Sequence, residues 1–195
     1  MAYLPILILG LVIFLGAHTF VTLRDKRAAL IERLGLNTYR ASFALVSFVG
    51  LALTVGGFYL YRHHAYIQVW RPPEFFRHIT VGLMLIAAIL LVAAFIPSHI
   101  KAKAKHPMLA AVKTWALAHL LYNGELGDII LFGSFLAWGV YARIAAKRRG
   151  DVGTTTAPAG WTNDAIVVVL GIVVYLALGF AFHPVVIGVP AFGRA

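Results

Sequence analysis

YLPILILGLVIFLGAHTFVTL, residues 3–23, carries no charged side chain from end to end. At 1.5 Å rise per residue, a helix over this run is about 30 Å long, the thickness of a bilayer's hydrocarbon core. No basic residue precedes it, so it reads as a retained membrane span and not as a cleavable signal sequence. One ionisable group interrupts it: His18, six residues before Arg24, the first charge after the run. An ionisable side chain at bilayer depth is expensive to place there and points to a functional site.

Further apolar runs follow at residues 39–61, 78–97, 107–122, 126–142 and 164–184. The pattern predicts an all-α fold, a polytopic transmembrane helix bundle of about six spans, in one domain over residues 1–195. The fourth run is short, and Asn123-Gly124-Glu125 separates it from the fifth. If Lys113 marks the membrane boundary, Gly124 lies only about 16 Å inside. Either the helix starts earlier, near His106-Pro107, with Lys113 snorkelling, or the hairpin is partly re-entrant.

Composition agrees with a membrane protein. The chain is 61% hydrophobic and 12% charged, with a mean hydropathy of +0.86. Soluble domains carry about 25% charged residues. The net charge of +10 sits in short loops between apolar runs, which reports orientation and contact with membrane lipids, not nucleic-acid binding. Cysteine is absent, which excludes disulfides, thiolate-held iron–sulfur clusters, covalently attached haem and thiol catalysis.

Of the 17 basic residues, the loops after the first, third and fifth runs hold all but Arg62, Arg71, Arg77 and Arg194. That asymmetry predicts a multi-pass protein with these loops in the cytoplasm and both termini periplasmic. Residues 24–36 interleave apolar and charged side chains up to Gly35, as an interfacial helix does. Residues 62–77 read as an outer loop rich in aromatics and prolines, with His63 and His64 in the solvated part, and residues 150–161 as a flexible linker.

A second intramembrane histidine matches the first. His119 lies six residues after Lys113, the last charge before its run, so His18 and His119 each fall roughly 9 Å inside the same face. Two imidazoles at one depth, on helices of opposite direction, suggest a shared metal or haem iron, with neutral imidazole as the ligand. Cations at the same face, Arg24, Lys113 and Lys105, suit haem propionates. Alternatively each histidine only bonds a neighbouring helix. His106 and His99, at the cytoplasmic boundary, are candidates for orienting His119 or the propionates. His78 and His183 lie toward the outer face, where a second pair is the alternative to headgroup contacts. Glu125 and Asp128 follow the Asn123-Gly124 break and read first as helix capping, with a proton relay as the alternative. Gly10, Gly16, Gly50, Gly56, Gly57 and Gly133 read as helix-packing positions. No nucleophile elbow and no H-E-x-x-H zinc signature occurs.

The same residues carry a family resemblance. Leu9-Gly10-Leu11, Phe14, His18, Tyr39-Arg40, Ser47, Trp70-Arg71-Pro72-Pro73 and Pro97-Ser98 take part. The most specific portion is His106-Pro107-Met108-Leu109, Lys113-Thr114-Trp115-Ala116-Leu117-Ala118-His119-Leu120, Asn123-Gly124 and Leu131-Phe132-Gly133-Ser134-Phe135. Over nearly its whole length the chain resembles the NnrU family of bacterial inner-membrane proteins. The resemblance implies a role in denitrification, in the production or activity of nitrite and nitric oxide reductases, or in a nitric oxide response. That family is also similar to the zeta-carotene isomerases, membrane haem b proteins whose haem-holding histidines would fall on His18 and His119. The resemblance thus implies haem b at the pair that depth counting selects. It leaves three activities open: an accessory or sensory haem protein with denitrification proteins as partners, a haem-dependent cis-trans isomerase of a lipophilic polyene, and a membrane electron carrier. The isomerase has chain outside this core, and nothing in these residues specifies a carotenoid.

Overall fold

The computed structural model describes residues 3–64 and 66–192, and it is helical almost throughout. Helix α1 runs Leu4–Thr22, α2 Arg24–Leu34, α3 Leu36–His64, α4 Phe75–Ala93 and α5 His99–Ala104. Then come α6 Pro107–Tyr122, α7 Leu126–Arg148 and α8 Thr162–Ala177, which continues as a π-helical stretch, Leu178–Ile187. Five of these are long and apolar enough to cross a membrane: α1, α3, α4, α7 and the continuous Thr162–Ile187. The expected sixth span, α6, has 16 residues and is about 24 Å long, short of a full hydrocarbon core. The protein is a multi-pass membrane protein, and the exposed Leu9, Val12, Phe48, Val169 and Phe180 are side chains that suit lipid contact.

The chain folds into two compact units, each made of two stretches of sequence. The first comprises Met1–Arg71 and Asn123–Ala146, hence α1, α2, α3 and most of α7. The second comprises Pro72–Tyr122 and Lys147–Ala195, hence α4, α5, α6 and α8.

In the first unit, α1 and α3 pack backbone to backbone. A methyl group added at Gly10 would meet the Thr54 amide, one at Gly50 would lie 2.6 Å from the Phe14 nitrogen, and one at Gly57 would meet the Leu7 amide. Among the described residues, a methyl at Gly16, Gly56 or Gly133 meets nothing within 4 Å, so half of the six expected packing glycines serve this interface. Gly35, at φ 77°, ends α2 and lets α3 begin at once, so α3 is longer at both ends than its apolar run. Its last turn includes His63 and His64, expected in the loop, each donating Nδ1–H to a carbonyl one turn back. The segment after α3 then folds back. The Val69 and Trp70 amides donate to Gly124 O, and the Leu126 amide to Ile67 O.

In the second unit, α4 packs on both α6 and α8, with Thr80 Oγ1 donating to Ala118 O at 2.9 Å and Gly171 set against Ile89. The short α5 has no apolar period to announce it. Ser98 caps it by accepting from the Lys101 amide, and Asp164 of α8 accepts from the amides of His99 and Ile100. The 150–161 segment is pinned where a flexible linker was expected: Thr154 N–H donates to Lys105 O and His106 Nε2–H to Asp151 O.

Candidate functional site

His18 sits one turn before the end of α1. Its Nδ1–H donates to Phe14 O at 2.7 Å, four residues back. A neutral imidazole that donates from Nδ1 carries its lone pair on Nε2, the state in which histidine ligates iron, copper or zinc. Three rings surround it: Phe14 at 4.2 Å between centroids, Phe43 of α3 at 5.3 Å, and Trp138 of α7 edge-on at 5.8 Å. The glycine-mediated approach of α1 and α3 brings Phe43 this close.

From the α1–α2 junction inward, polar atoms of the same unit are buried without partners. They are Arg27 Nε, Tyr39 Oη, Ser47 Oγ, Trp138 Nε1 and Arg143 Nη1. Tyr39 is 6% exposed, and the Arg27 guanidinium stands 5.5 Å from its ring centroid. Arg24, the cation nearest to His18 in sequence, is instead the exposed first residue of α2. Sequence reasoning passed over Arg27 and Arg143, and nothing in their spacing to His18 marks them.

At the opposite end of the unit, Asp128 is 3% exposed. It is the third residue of α7, and its carboxylate faces the backbone N–H of Glu125, the reach-back of a capping box. Glu125 Oε1 lies 3.6 Å from Arg62 Nη2, while Glu125 Oε2 and Asp128 Oδ1 are buried without partners. Capping is therefore present, though it satisfies only part of the carboxylates.

In the second unit, His119 lies near the end of α6. Its Nδ1–H donates to Trp115 O at 2.9 Å, the same self-bonded tautomer as His18. Helix α6 starts at Pro107, so Lys113 is a half-buried residue in its second turn. The helix thus begins six residues before Lys113, and His119 lies twelve residues beyond its start. His183 stands beside His119, with ring centroids 6.2 Å apart and planes 17° from parallel. It comes from the π-helical stretch, where it donates Nδ1–H to Leu178 O at 2.8 Å. Pro184 follows it, and a proline inside a helix loses one hydrogen bond and crowds the preceding turn, which the wider π geometry accommodates. His78, the other outer-face candidate, is exposed on α4. His106 is occupied with Asp151, and His99 bonds Asp164 Oδ2 at 2.8 Å while stacking on Trp161 at 4.1 Å.

Among the described residues no three His, Asp or Glu side chains come together as a metal-ligand group. Single self-bonded histidines in aromatic surroundings are suited to a cofactor that brings its own donor atoms and asks for one or two axial ligands.

No curated protein and no solved structure matches the chain. The family model described as NnrU protein matches residues 6–191. With nearly every residue inside that match, the chain belongs to the NnrU family.

Proposed function

We propose that this chain is a haem b protein of the bacterial inner membrane, with His18 and His119 as axial ligands, that supports the production or activity of nitrite and nitric oxide reductases. The observation that carries the reading is the shared state of the two histidines. Each lies within an apolar helix and donates its Nδ1–H to its own backbone four residues back, which leaves Nε2 as the ring nitrogen for a ligand bond. The aromatic surroundings suit a porphyrin. Bound haem would supply reversible one-electron chemistry and an iron that takes small ligands such as nitric oxide. The chain's own residues hold the imidazole tautomers, exclude water with Phe14, Phe43 and Trp138, and place cations at the cytoplasmic helix ends, with Arg24 and Lys113 among them. His106, fixed by Asp151, would orient the start of α6.

One observation favours a second reading, a haem-dependent cis-trans isomerase of a lipophilic polyene. His183 beside His119 offers another imidazole, and an exchangeable axial position is what such chemistry needs. The test is a reduced-minus-oxidised absorption spectrum of the detergent-purified chain, expressed with haem supply and repeated under carbon monoxide. Sharp b-type bands that vanish in both His18→Ala and His119→Ala support the axial pair. A carbon monoxide shift points to sensing or isomerisation, and bands indifferent to carbon monoxide point to an electron carrier. A featureless spectrum from folded protein removes the haem reading.

A further inference from the structure

Two helices of the second unit bring histidines together. On α6, the Thr80 hydroxyl of α4 holds the Ala118 carbonyl at 2.9 Å, one residue before His119. Beyond α8, the Phe192 ring lies against Gly179 and packs on Tyr175 and Phe180, at 5.2 and 4.7 Å between centroids. These contacts fix the π-helical stretch that carries His183. The imidazoles of His119 and His183 meet with centroids 6.2 Å apart and planes 17° from parallel.

Both rings are held in one tautomer. His119 gives its Nδ1–H to the carbonyl four residues back, and His183 gives its own to a carbonyl five residues back, which the π winding supplies. A carbonyl can only accept, so Nδ1 carries the proton and Nε2 the lone pair, through which a neutral imidazole ligates a metal. Trp115, 5.5 Å from His119, and Phe182, edge-on at 6.0 Å from His183, supply apolar surroundings.

The spacing is not that of ring-on-ring stacking. Where imidazoles of this chain lie on a ring face, the centroids are closer: 4.1 Å for His99 and Trp161, 4.0 Å for His63 and Tyr59. The wider gap is the length of a bridge through one metal ion. With metal–nitrogen bonds of about 2.0 Å and about 1.1 Å from each nitrogen to its ring centre, the centroids fall about 6 Å apart. Among the described residues no third His, Asp or Glu joins the pair. Zinc, nickel and ferrous iron ask for more ligands than two. Cu(I) is satisfied by two nitrogens in line, and its single charge costs less to bury among apolar groups than a double one.

We infer that His119 and His183 form a two-coordinate site for a Cu(I) ion, held in line between their Nε2 atoms. The site goes beyond the haem reading and does not rest on it, because both ligands belong to the second unit. Haem and Cu(I) would exclude each other at His119.

The test uses the full-length, haem-free chain in detergent, titrated anaerobically with Cu(I) under ascorbate against bicinchoninate, a coloured Cu(I) chelator. The wild type should withdraw a single equivalent, and the lack of cysteine removes any thiolate background. His119→Ala and His183→Ala should each weaken uptake by at least about tenfold, the least that disturbing a ligand's surroundings costs. His78→Ala, exposed on α4, should take up the ion as the wild type does. X-ray absorption of the copper-loaded wild type decides the coordination even if the alanine variants fail to fold. It should show two nitrogen neighbours and the intense pre-edge band of linear Cu(I). No uptake by the wild type, uptake that survives both substitutions, or three or more neighbours around the ion overturns the site. Zn(II) held as tightly as Cu(I) overturns it too.

Discussion

The imidazoles of His119 and His183 stand 6.2 Å apart between centroids, nearly parallel, within one structural unit. Two imidazoles that ligate one metal from opposite sides have centroids about 6 Å apart, given metal–nitrogen bonds of about 2.0 Å. His183 is therefore the rival to His18 as the partner of His119. With His18 and His119 as the axial pair, His183→Ala keeps sharp b-type bands in the reduced spectrum. Their loss in His183→Ala together with survival in His18→Ala moves the axial pair to His119 and His183.

The α1–α3 contact sets the position of His18, and it rests on glycine. At Gly50 the atoms in the way are the backbone of Phe14, which cannot rotate aside. Gly50→Leu should destabilise the protein by about 3 kcal/mol, as severe overpacking does, and should displace His18 from Phe43. Gly16→Leu, on the same helix as His18 with open space around it, should change thermal stability by about 0.5 kcal/mol or less. Thermal unfolding in detergent measures both. Equal effects would contradict the packing described here.

Asp164 ties the start of α8 to α5 by accepting from the His99 amide at 3.2 Å, the Ile100 amide at 3.0 Å and His99 Nδ1 at 2.8 Å. Asp164→Ala leaves the two amides without this acceptor and should lower the unfolding temperature. Asp164→Asn, which keeps one carbonyl oxygen, should lower it less. Amide hydrogen exchange at residues 99 and 100 should accelerate in the alanine variant. Unchanged protection there would mean that Ser98 alone holds α5.

The absence of cysteine makes orientation directly measurable. Single cysteines placed at the exposed Tyr66 and Thr155 should differ in reach. With the basic loops in the cytoplasm, a membrane-impermeant maleimide should label Tyr66→Cys in cells with a permeabilised outer membrane, and Thr155→Cys only after lysis. The inverse pattern would reverse the topology.

The helices themselves were legible because an apolar run long enough to span a bilayer has few other uses. The break at Gly35 and the capping role of Asp128 were legible as well, since both are local. What lay hidden depends on residues far apart in the chain. Helix α5 needs Asp164, 65 positions from His99, and no hydrophobic period reveals it. Sequence position alone places His183 toward the outer face with His78, because its approach to His119 depends on how the α8 extension winds around Pro184. Arg24 was preferred over Arg27 on sequence distance to His18. Burial separates the two: Arg24, the first residue of α2, is exposed, whereas Arg27 Nε is enclosed. Linear distance carries no information about which side of a helix faces inward.

The two units are interleaved in the chain: the first is completed only when Asn123–Ala146 has been made, and by then Pro72–Tyr122, about half of the second, has already been synthesised. No single cut in the gene releases either unit whole. A truncation after Arg71 removes the Gly124–Leu126 backbone to which Ile67–Trp70 is bonded, and with it Trp138 and Arg143. During biosynthesis, three helices of the first unit must therefore wait in the bilayer for α7, so the surroundings of His18 are finished late, after the chain has passed His119.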